Sequence, residues 1–132
     1  MMVVDTSALM AIVLREEDRD VFLAAMIAEP RKLMSAASVV EAAQVYAKAF
    51  DPSVVGEKLY EDLRMLDIRV IDLTDQHARL AVDAAMRFGR GRHSAKLNFG
   101  ACFSYALAKV SGLPLLFKGN DFSQTDIESA LA

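Results

Sequence analysis

The sequence predicts an α/β fold, a three-layer α/β/α sandwich in which helices cover both faces of a mainly parallel sheet. Short apolar runs alternate along the chain with longer segments of helical periodicity, the order expected when crossover helices join parallel strands. A chain of 132 residues that is 54% hydrophobic can bury one core and is too short for two ordinary domains. We therefore expect a single domain over residues 1–132, with no internal boundary.

Apolar runs and helix-capping signals place the individual elements. Four runs are predicted as strands: MVVD (2–5), KLMS (32–35), RVIDL (69–73) and PLLFK (114–118). Helices are predicted over 18–28, 39–50, 55–66, 75–89 and 98–111. Thr74 is expected to cap the start of the fourth helix and Gly89 to close it, while Gly112 ends the fifth.

The stretch LNFGACFSYALAKVSG (97–112) is predicted to turn an apolar stripe toward the core. Residues of this stripe recur at spacings of three and four: Phe99, Cys102, Phe103, Ala106, Leu107 and Val110. Ala101 falls outside the stripe, in phase with Ser104 and Tyr105. We therefore expect Ala101 on the flank of the helix, away from the core.

The composition limits the functional classes. A net charge of −3 gives no general attraction to nucleic acid, so RNA or DNA binding would need a local basic patch. The single cysteine, Cys102, cannot form an internal disulfide and is typical of a reducing cytoplasm, where we expect the protein. The N-terminal segment MMVVDTSALMAIVLREE carries Asp5 within its apolar run and lacks a basic region, so it predicts neither a signal peptide nor a membrane span.

Three carboxylates that are distant in sequence are predicted to meet at one edge of the sheet. Asp5 ends the first strand, Glu41 lies early in the helix after the second, and Asp121 follows the last. Ligands bind beyond the carboxyl ends of parallel strands. Acids without histidine or cysteine suit a hard cation, Mg²⁺ or Mn²⁺. Each acid also has an ordinary interpretation, as a helix cap, a solvated helix charge and a turn residue respectively. Three hydroxyl groups are expected nearby: Thr6, Ser7 and Ser38.

Three strings give the chain a family resemblance: MMVVDTSALMAIVLREE, LMSAASVVEAAQV and GRGRHSAKLNFGACFSYALAKVSGLPLLFKGNDFSQTDI. With these strings, in this order from Val3 to about Ile127, the chain resembles a PIN-domain toxin of the VapC type. The resemblance implies a PIN-domain sandwich and a Mg²⁺-dependent ribonuclease from a bacterial toxin–antitoxin pair. It also implies restraint by a cognate VapB antitoxin, structured RNA such as tRNA or rRNA as the target, and a homodimer that assembles further with VapB.

The acidic site of this family can be carried over residue by residue. Its strand aspartate matches Asp5, its helix glutamate matches Glu41, and its late aspartate matches Asp121, with Asp126 as a weaker candidate. A fourth family acid belongs in the string LNFG-D-CF, where this chain has Ala101. We expect this form to bind Mg²⁺ poorly and to cleave RNA slowly or not at all. Because the surrounding pattern is intact, a deliberate inactivating replacement is favoured over natural decay.

The segment RFGRGRHSAK (87–96) is the local basic patch that RNA binding would require. Its candidate phosphate contacts are Arg90, Arg92, His93 and Lys96. Phosphate contacts position a nucleic acid without reading its sequence. A solvated basic loop, or a loop shaped for the antitoxin, is the alternative.

Two other functions remain compatible with the sequence. A phosphoryl-transfer enzyme would use Asp5 as nucleophile and Lys118 to handle phosphate, but Ser7 stands where a second acid is expected. A binding module would capture antitoxin or RNA without cutting it, and Ala101 favours that alternative for this chain. Cleavage after aspartate is restored at position 101 would distinguish an enzyme from a binding module.

Overall fold

In a computed structural model that describes residues 1–131, the chain forms four strands and six helices. The strands are β1 (Met2–Val4), β2 (Lys32–Ser35), β3 (Ile68–Ile71) and β4 (Leu115–Leu116). The helices are α1 (Thr6–Val13), α2 (Arg19–Ala28), α3 (Ala36–Ala49), α4 (Val55–Met65), α5 (Asp75–Phe88) and α6 (Phe99–Ser111). Over these described residues, no helix has the length and apolarity needed to cross a bilayer.

The four strands form one parallel sheet in the order β3-β2-β1-β4. Val3 pairs with Leu33 of β2 and with Leu115 of β4, so β1 lies between these two strands. The predicted α/β fold with a parallel sheet is therefore confirmed. Because β1 is an inner strand, the residues that follow it lie near the middle of the sheet's carboxyl edge.

Two hydrophobic cores, one on each face of the sheet, give the sandwich its three layers. Val4 and Leu116 belong to the core under α1, α2, α3 and α4. Val3 and Leu115 belong to the core under α5 and α6. Successive strand residues point to opposite faces, so one short strand contributes to both cores. Their side chains are almost fully buried, which makes the sheet apolar on both sides, as expected for parallel strands.

Some element boundaries differ from the predictions. The sequence patterns gave no helix over residues 6–13, where α1 forms behind the cap of Asp5. Helix α3 begins at Ala36 rather than Val39 because the Ser35 hydroxyl accepts a hydrogen bond from the Ala37 N–H and caps the helix there. Strand β4 is shorter than predicted, and β3 is shifted toward the N-terminus by one residue at its start.

The predicted core stripe of α6 is confirmed in part: Cys102, Ala106 and Leu107 are buried, but the two ends of the stripe are not. Phe99, placed on the core stripe, is 82% exposed, and Val110 is at the surface as well. Ala101 is only 8% exposed, and its phase mates Ser104 and Tyr105 are fully buried. The helix packs against α5, α3 and the sheet, so small residues face the close contacts on several sides. An alanine-rich helix has no single large apolar stripe from which its orientation can be predicted.

Candidate active site

A cavity of about 230 Å³ lies at the carboxyl edge of the sheet, beside the ends of β1 and β4. It brings together residues that the sequence placed there: Asp5, Thr6, Ser7, Glu41, Ala101 and Asp121. Asn98 and Lys118 also line it. Asp5 follows an inner strand directly, while Glu41 extends from α3 and Ala101 from the first turn of α6.

Asp5 is held at both carboxylate oxygens. Oδ2 accepts hydrogen bonds from the Ser7 N–H at 3.0 Å and from the Ser7 hydroxyl at 2.6 Å. The bond from the N–H makes Asp5 the N-cap of α1. Oδ1 accepts a 2.5 Å hydrogen bond from the Ser104 hydroxyl of α6. The side chain is only 6% exposed, so these donors replace water around its charge. Asp5 is thus both a helix cap and a rigidly oriented carboxylate of the cavity.

Ser38 and Ser104 support Asp5 from beneath the cavity. Their hydroxyl oxygens lie 3.3 Å apart, both are fully buried, and neither lines the cavity. Ser38, predicted to line the site, therefore acts through Ser104. Ser104 was not among the predicted site residues, although its position one helical turn after Ala101 could have indicated a role.

Glu41 carries its carboxylate over the start of α6. Burial, together with the negative charge of Asp5, raises the pKa of the Glu41 carboxyl, and the Thr6 hydroxyl offsets part of this shift. A methyl group built on Gly100 would overlap with the Glu41 carboxylate. Glycine at position 100 therefore allows α6 to approach α3 closely enough for Glu41 to reach the cavity.

Position 101 leaves a gap among the acidic groups. The Ala101 N–H donates a 2.8 Å hydrogen bond to Oδ1 of Asn98, which is the N-cap of α6. The methyl group of Ala101 offers the cavity no oxygen. Within residues 1–131 no three acidic, histidine or cysteine side chains converge closely enough to enclose a metal ion. Asp5 and Glu41 carry oxygen atoms of the kind that a hard divalent cation prefers, whereas the methyl group of Ala101 offers none.

Asp121 and Asp126 differ in their relation to the cavity. Asp121 lines it as an exposed residue at the start of a short 3₁₀ turn, Phe122–Gln124. Asp126 lies outside, where it accepts hydrogen bonds from the Tyr105 hydroxyl at 2.8 Å and from Nζ of Lys109 at 2.7 Å. Partial burial acts to raise the pKa of the Asp126 carboxyl, but the hydrogen bonds from Lys109 and Tyr105 outweigh this effect, so the pKa is lowered overall. Asp126 therefore forms an ion pair with Lys109 of α6 and does not line the cavity, contrary to the prediction.

The basic segment does not reach the carboxylate cavity. Arg90 and Arg92 line an apolar groove between α5 and α6 instead. His93 packs the edge of its ring on Phe88, and its Nδ1 accepts a hydrogen bond from the Ala95 N–H. Lys96 is exposed and adopts a positive φ of 55°. Among residues 1–131, the basic side chain that lines the cavity is that of Lys118, to which the sequence assigned a role only under phosphoryl transfer.

Protein-family and sequence comparisons agree on one family. Residues 2–128 match the PIN domain. Ribonuclease VapC30 of Mycobacterium tuberculosis (strain ATCC 25618 / H37Rv) is 48% identical over 130 residues, which cover 96% of this chain and 95% of the relative. Ribonuclease VapC of Mycolicibacterium smegmatis is 45% identical over 127 residues, covering 96% and 97%. These relatives favour the nuclease interpretation over phosphoryl transfer.

Solved structures share the same fold. Mycobacterium tuberculosis VapC20, a Sarcin-Ricin loop cleaving toxin, matches with a TM-score of 0.78 and 15% identity over 96% of each chain. A toxin–antitoxin complex from Klebsiella pneumoniae matches with a TM-score of 0.67 and 17% identity, over 96% of this chain and 93% of the other. Identities this low establish the fold alone, whereas the PIN-domain match and the ribonuclease relatives span nearly the whole sequence. The chain therefore belongs to the family of VapC-type PIN-domain ribonuclease toxins.

Proposed function

We propose that this chain is an RNA endonuclease toxin of a type II toxin–antitoxin pair that depends on Mg²⁺ or Mn²⁺ and is impaired by Ala101. One observation carries the proposal. The cavity at the sheet edge gathers Asp5, Glu41, Asp121 and position 101 in a chain that is 48% identical to a ribonuclease. The reaction would be hydrolysis of an RNA phosphodiester bond.

The residues of the cavity would divide the work as follows. Asp5 and Glu41, with Asp121 at the rim, would hold the divalent cation. When bound, such a cation orients and activates water and offsets the charge that develops on a phosphodiester. Ser7 and Ser104 hold the Asp5 carboxylate in place by donating hydrogen bonds to both of its oxygens. Ala101 supplies no carboxylate, so cation binding and the rate of cleavage both fall.

Structured RNA, either tRNA or rRNA, is the substrate class that we propose. The solved relative VapC20 cleaves the sarcin–ricin loop, and this supports a folded RNA target for a chain of the same family. The solved toxin–antitoxin complex from Klebsiella pneumoniae likewise supports an antitoxin partner, which we propose to be of the VapB type. The proposal includes a homodimer, further assembly with the antitoxin, and function in the cytoplasm.

The test compares this chain with its Ala101→Asp variant, both free of antitoxin, on total tRNA and on rRNA. Each is incubated with Mg²⁺, with Mn²⁺ or with EDTA, and the products are separated on denaturing gels. We expect only the aspartate form to cleave efficiently and EDTA to stop it. Equal cleavage by both forms would refute the impairment, and cleavage in EDTA would refute the metal dependence.

A catalytically dead PIN module that binds antitoxin or RNA is the second candidate. The gap at Ala101 and the lack of three converging metal ligands within residues 1–131 favour it for the present form. The same experiment separates the two candidates. If the Ala101→Asp variant cuts neither RNA while both forms bind antitoxin, the chain is a binding module and not a nuclease.

A further inference from the structure

Lys118 is the one basic side chain among the described residues that line the carboxylate cavity. Its backbone N–H donates a 3.0 Å hydrogen bond to the Ser7 hydroxyl oxygen, and that hydroxyl donates to Asp5 at 2.6 Å. Two successive hydrogen bonds thus join the backbone of Lys118 to the Asp5 carboxylate. The lysine is fixed relative to the acidic groups, although its side chain is 37% exposed.

Two carboxylates from another part of the chain hold the Lys118 ammonium group. Nζ lies 2.8 Å from Oε1 of Glu16 and 3.1 Å from Oδ1 of Asp18. Both acids belong to the connection between α1 and α2. Their hydrogen bonds raise the pKa of Lys118 and so favour its charged form. In the free chain, two carboxylate groups therefore face the single positive charge of Lys118.

RNA that enters the cavity meets an unfavourable charge distribution. Asp5, Glu41 and Asp121 line the space that a phosphodiester would occupy, and none of the four predicted phosphate contacts on the basic segment lines it. A cationic contact from the protein, in addition to any bound metal, would offset the repulsion between these acids and an anionic RNA backbone. An ammonium group donates three hydrogen bonds and binds phosphate as a point charge, which Lys118 can do once a carboxylate releases it.

We propose that Lys118 contacts a phosphate of the RNA in the cavity, and that Glu16 and Asp18 compete with this phosphate for the ammonium group. The inference rests on the proposed RNA-directed function. Lys118 is then a substrate-binding residue. Glu16 and Asp18 are positioning residues, which act on RNA only through Lys118 and weaken binding in the free chain.

Equilibrium binding of RNA to the full chain tests the contact. The Ala101 form is suited to this because its impaired cleavage leaves a labelled RNA oligonucleotide intact, which a gel verifies. Fluorescence anisotropy at fixed Mg²⁺ and increasing KCl gives the dissociation constant and its dependence on salt. For Lys118→Gln we expect a dissociation constant roughly three- to tenfold higher. The salt slope should be smaller by about 0.7, the value for one phosphate contact on a single strand.

Two variants control for charge and exposure. Lys109→Gln removes a lysine that is equally exposed, at 36%, and also ion-paired, to Asp126 at 2.7 Å, but lies outside the cavity. We expect it to leave the salt slope unchanged. Lys118→Arg keeps the positive charge and should keep the slope close to that of the parent, with folding of each variant verified by circular dichroism.

A double-mutant cycle tests the competition. Glu16→Gln and Asp18→Asn should tighten RNA binding in the parent chain and have little effect when Lys118 is already Gln. If Glu16 and Asp18 merely repel RNA, the gain in RNA affinity will be the same in the parent chain and in Lys118→Gln. If they only tie down the connection between α1 and α2, the variants will lose thermal stability with no gain in affinity. Either result would overturn the proposed competition.

Failure of this inference is distinguishable from failure of the proposed function. If the parent chain binds RNA but Lys118→Gln changes neither affinity nor salt slope, the Lys118 contact is wrong and the RNA function stands. If neither the parent nor its Ala101→Asp variant binds or cuts any RNA, the proposed function fails, and the Lys118 inference fails with it.

Discussion

Replacing Ala101 with aspartate should make the stability of the fold depend on Mg²⁺. The new carboxylate would enter a cavity that already contains Asp5, buried to 6% exposure, and the partly buried Glu41. Without metal, three carboxylates in one small cavity repel one another, so the variant should unfold at a lower temperature than the parent in EDTA. With metal, the added carboxylate should strengthen cation binding, so the variant should unfold at a higher temperature than the parent.

The size of the effect follows from Coulomb's law. A carboxylate about 4 Å from a divalent ion contributes roughly 2 kcal/mol at the dielectric of water and about 8 kcal/mol at an effective dielectric of 20. The lower figure corresponds to about thirtyfold in metal affinity. Binding to the folded state alone raises its stability by nearly the same amount when Mg²⁺ is in excess. About 2 kcal/mol is roughly 8 °C in Tm for a domain of this size.

Thermal unfolding in EDTA and in Mg²⁺ measures this directly, without any RNA. We expect the rise in Tm on adding Mg²⁺ to be roughly 8 °C larger for Ala101→Asp than for the parent. Ala101→Asn is the matched control, since it has nearly the same shape as aspartate without the charge, and it should behave like the parent. An equal rise in Tm for all three proteins would refute the assignment of position 101 to the metal site.

Three further predictions concern Gly100, Glu41 and Tyr46. Gly100→Ala should bring no gain in the free energy of unfolding, because its methyl group displaces the flexible end of Glu41 and this offsets the higher helix propensity of alanine. Gly56→Ala, in open space on α4, should instead raise it by up to about 1 kcal/mol; equal effects in chemical denaturation would contradict the predicted overlap. Burial and a neighbouring carboxylate raise the pKa of Glu41 in the folded chain, so the folded state holds a proton that the unfolded chain has already lost. The free energy of unfolding in EDTA should therefore fall as the pH rises from the ordinary glutamate pKa to the raised one, and Glu41→Gln should remove that loss. If the pH profile of Glu41→Gln is the same as that of the parent, the raised pKa of Glu41 is wrong. Tyr46→Phe should cost about 1–2 kcal/mol of unfolding free energy, because the buried Tyr46 hydroxyl donates a 2.7 Å hydrogen bond to Asp62; a neutral result would mean that water replaces the bond.

The order of elements and the location of the site could be predicted from the sequence. Apolar runs alternating with helical segments specify a parallel α/β sheet, because parallel strands need crossover connections. The carboxyl ends of such strands share one edge, which is why Asp5, Glu41 and Asp121 could be placed at the same cavity. The family strings added the expectation of an acid at position 101, which no periodicity could have supplied.

The orientation of α6 could be decided only by tertiary packing. Its phase depends on which small residues fit against α5, α3 and the sheet, and small side chains leave almost no periodic signal. Packing therefore buried Ala101 and Ser104 as well as the predicted stripe residues Cys102, Ala106 and Leu107, and it left Phe99 exposed.

The contacts that hold the site's charges also depend on the fold. Ser104 reaches Asp5 across 99 residues of sequence, and Lys118 reaches Glu16 across 102. Neither pair has a local signature, because a hydrogen bond between distant residues depends on where the fold places two side chains. The sequence determined which chemical groups the edge of the sheet could contain. The tertiary structure decided which of them face one another, since only packing sets distances of a few ångströms between residues far apart in the chain.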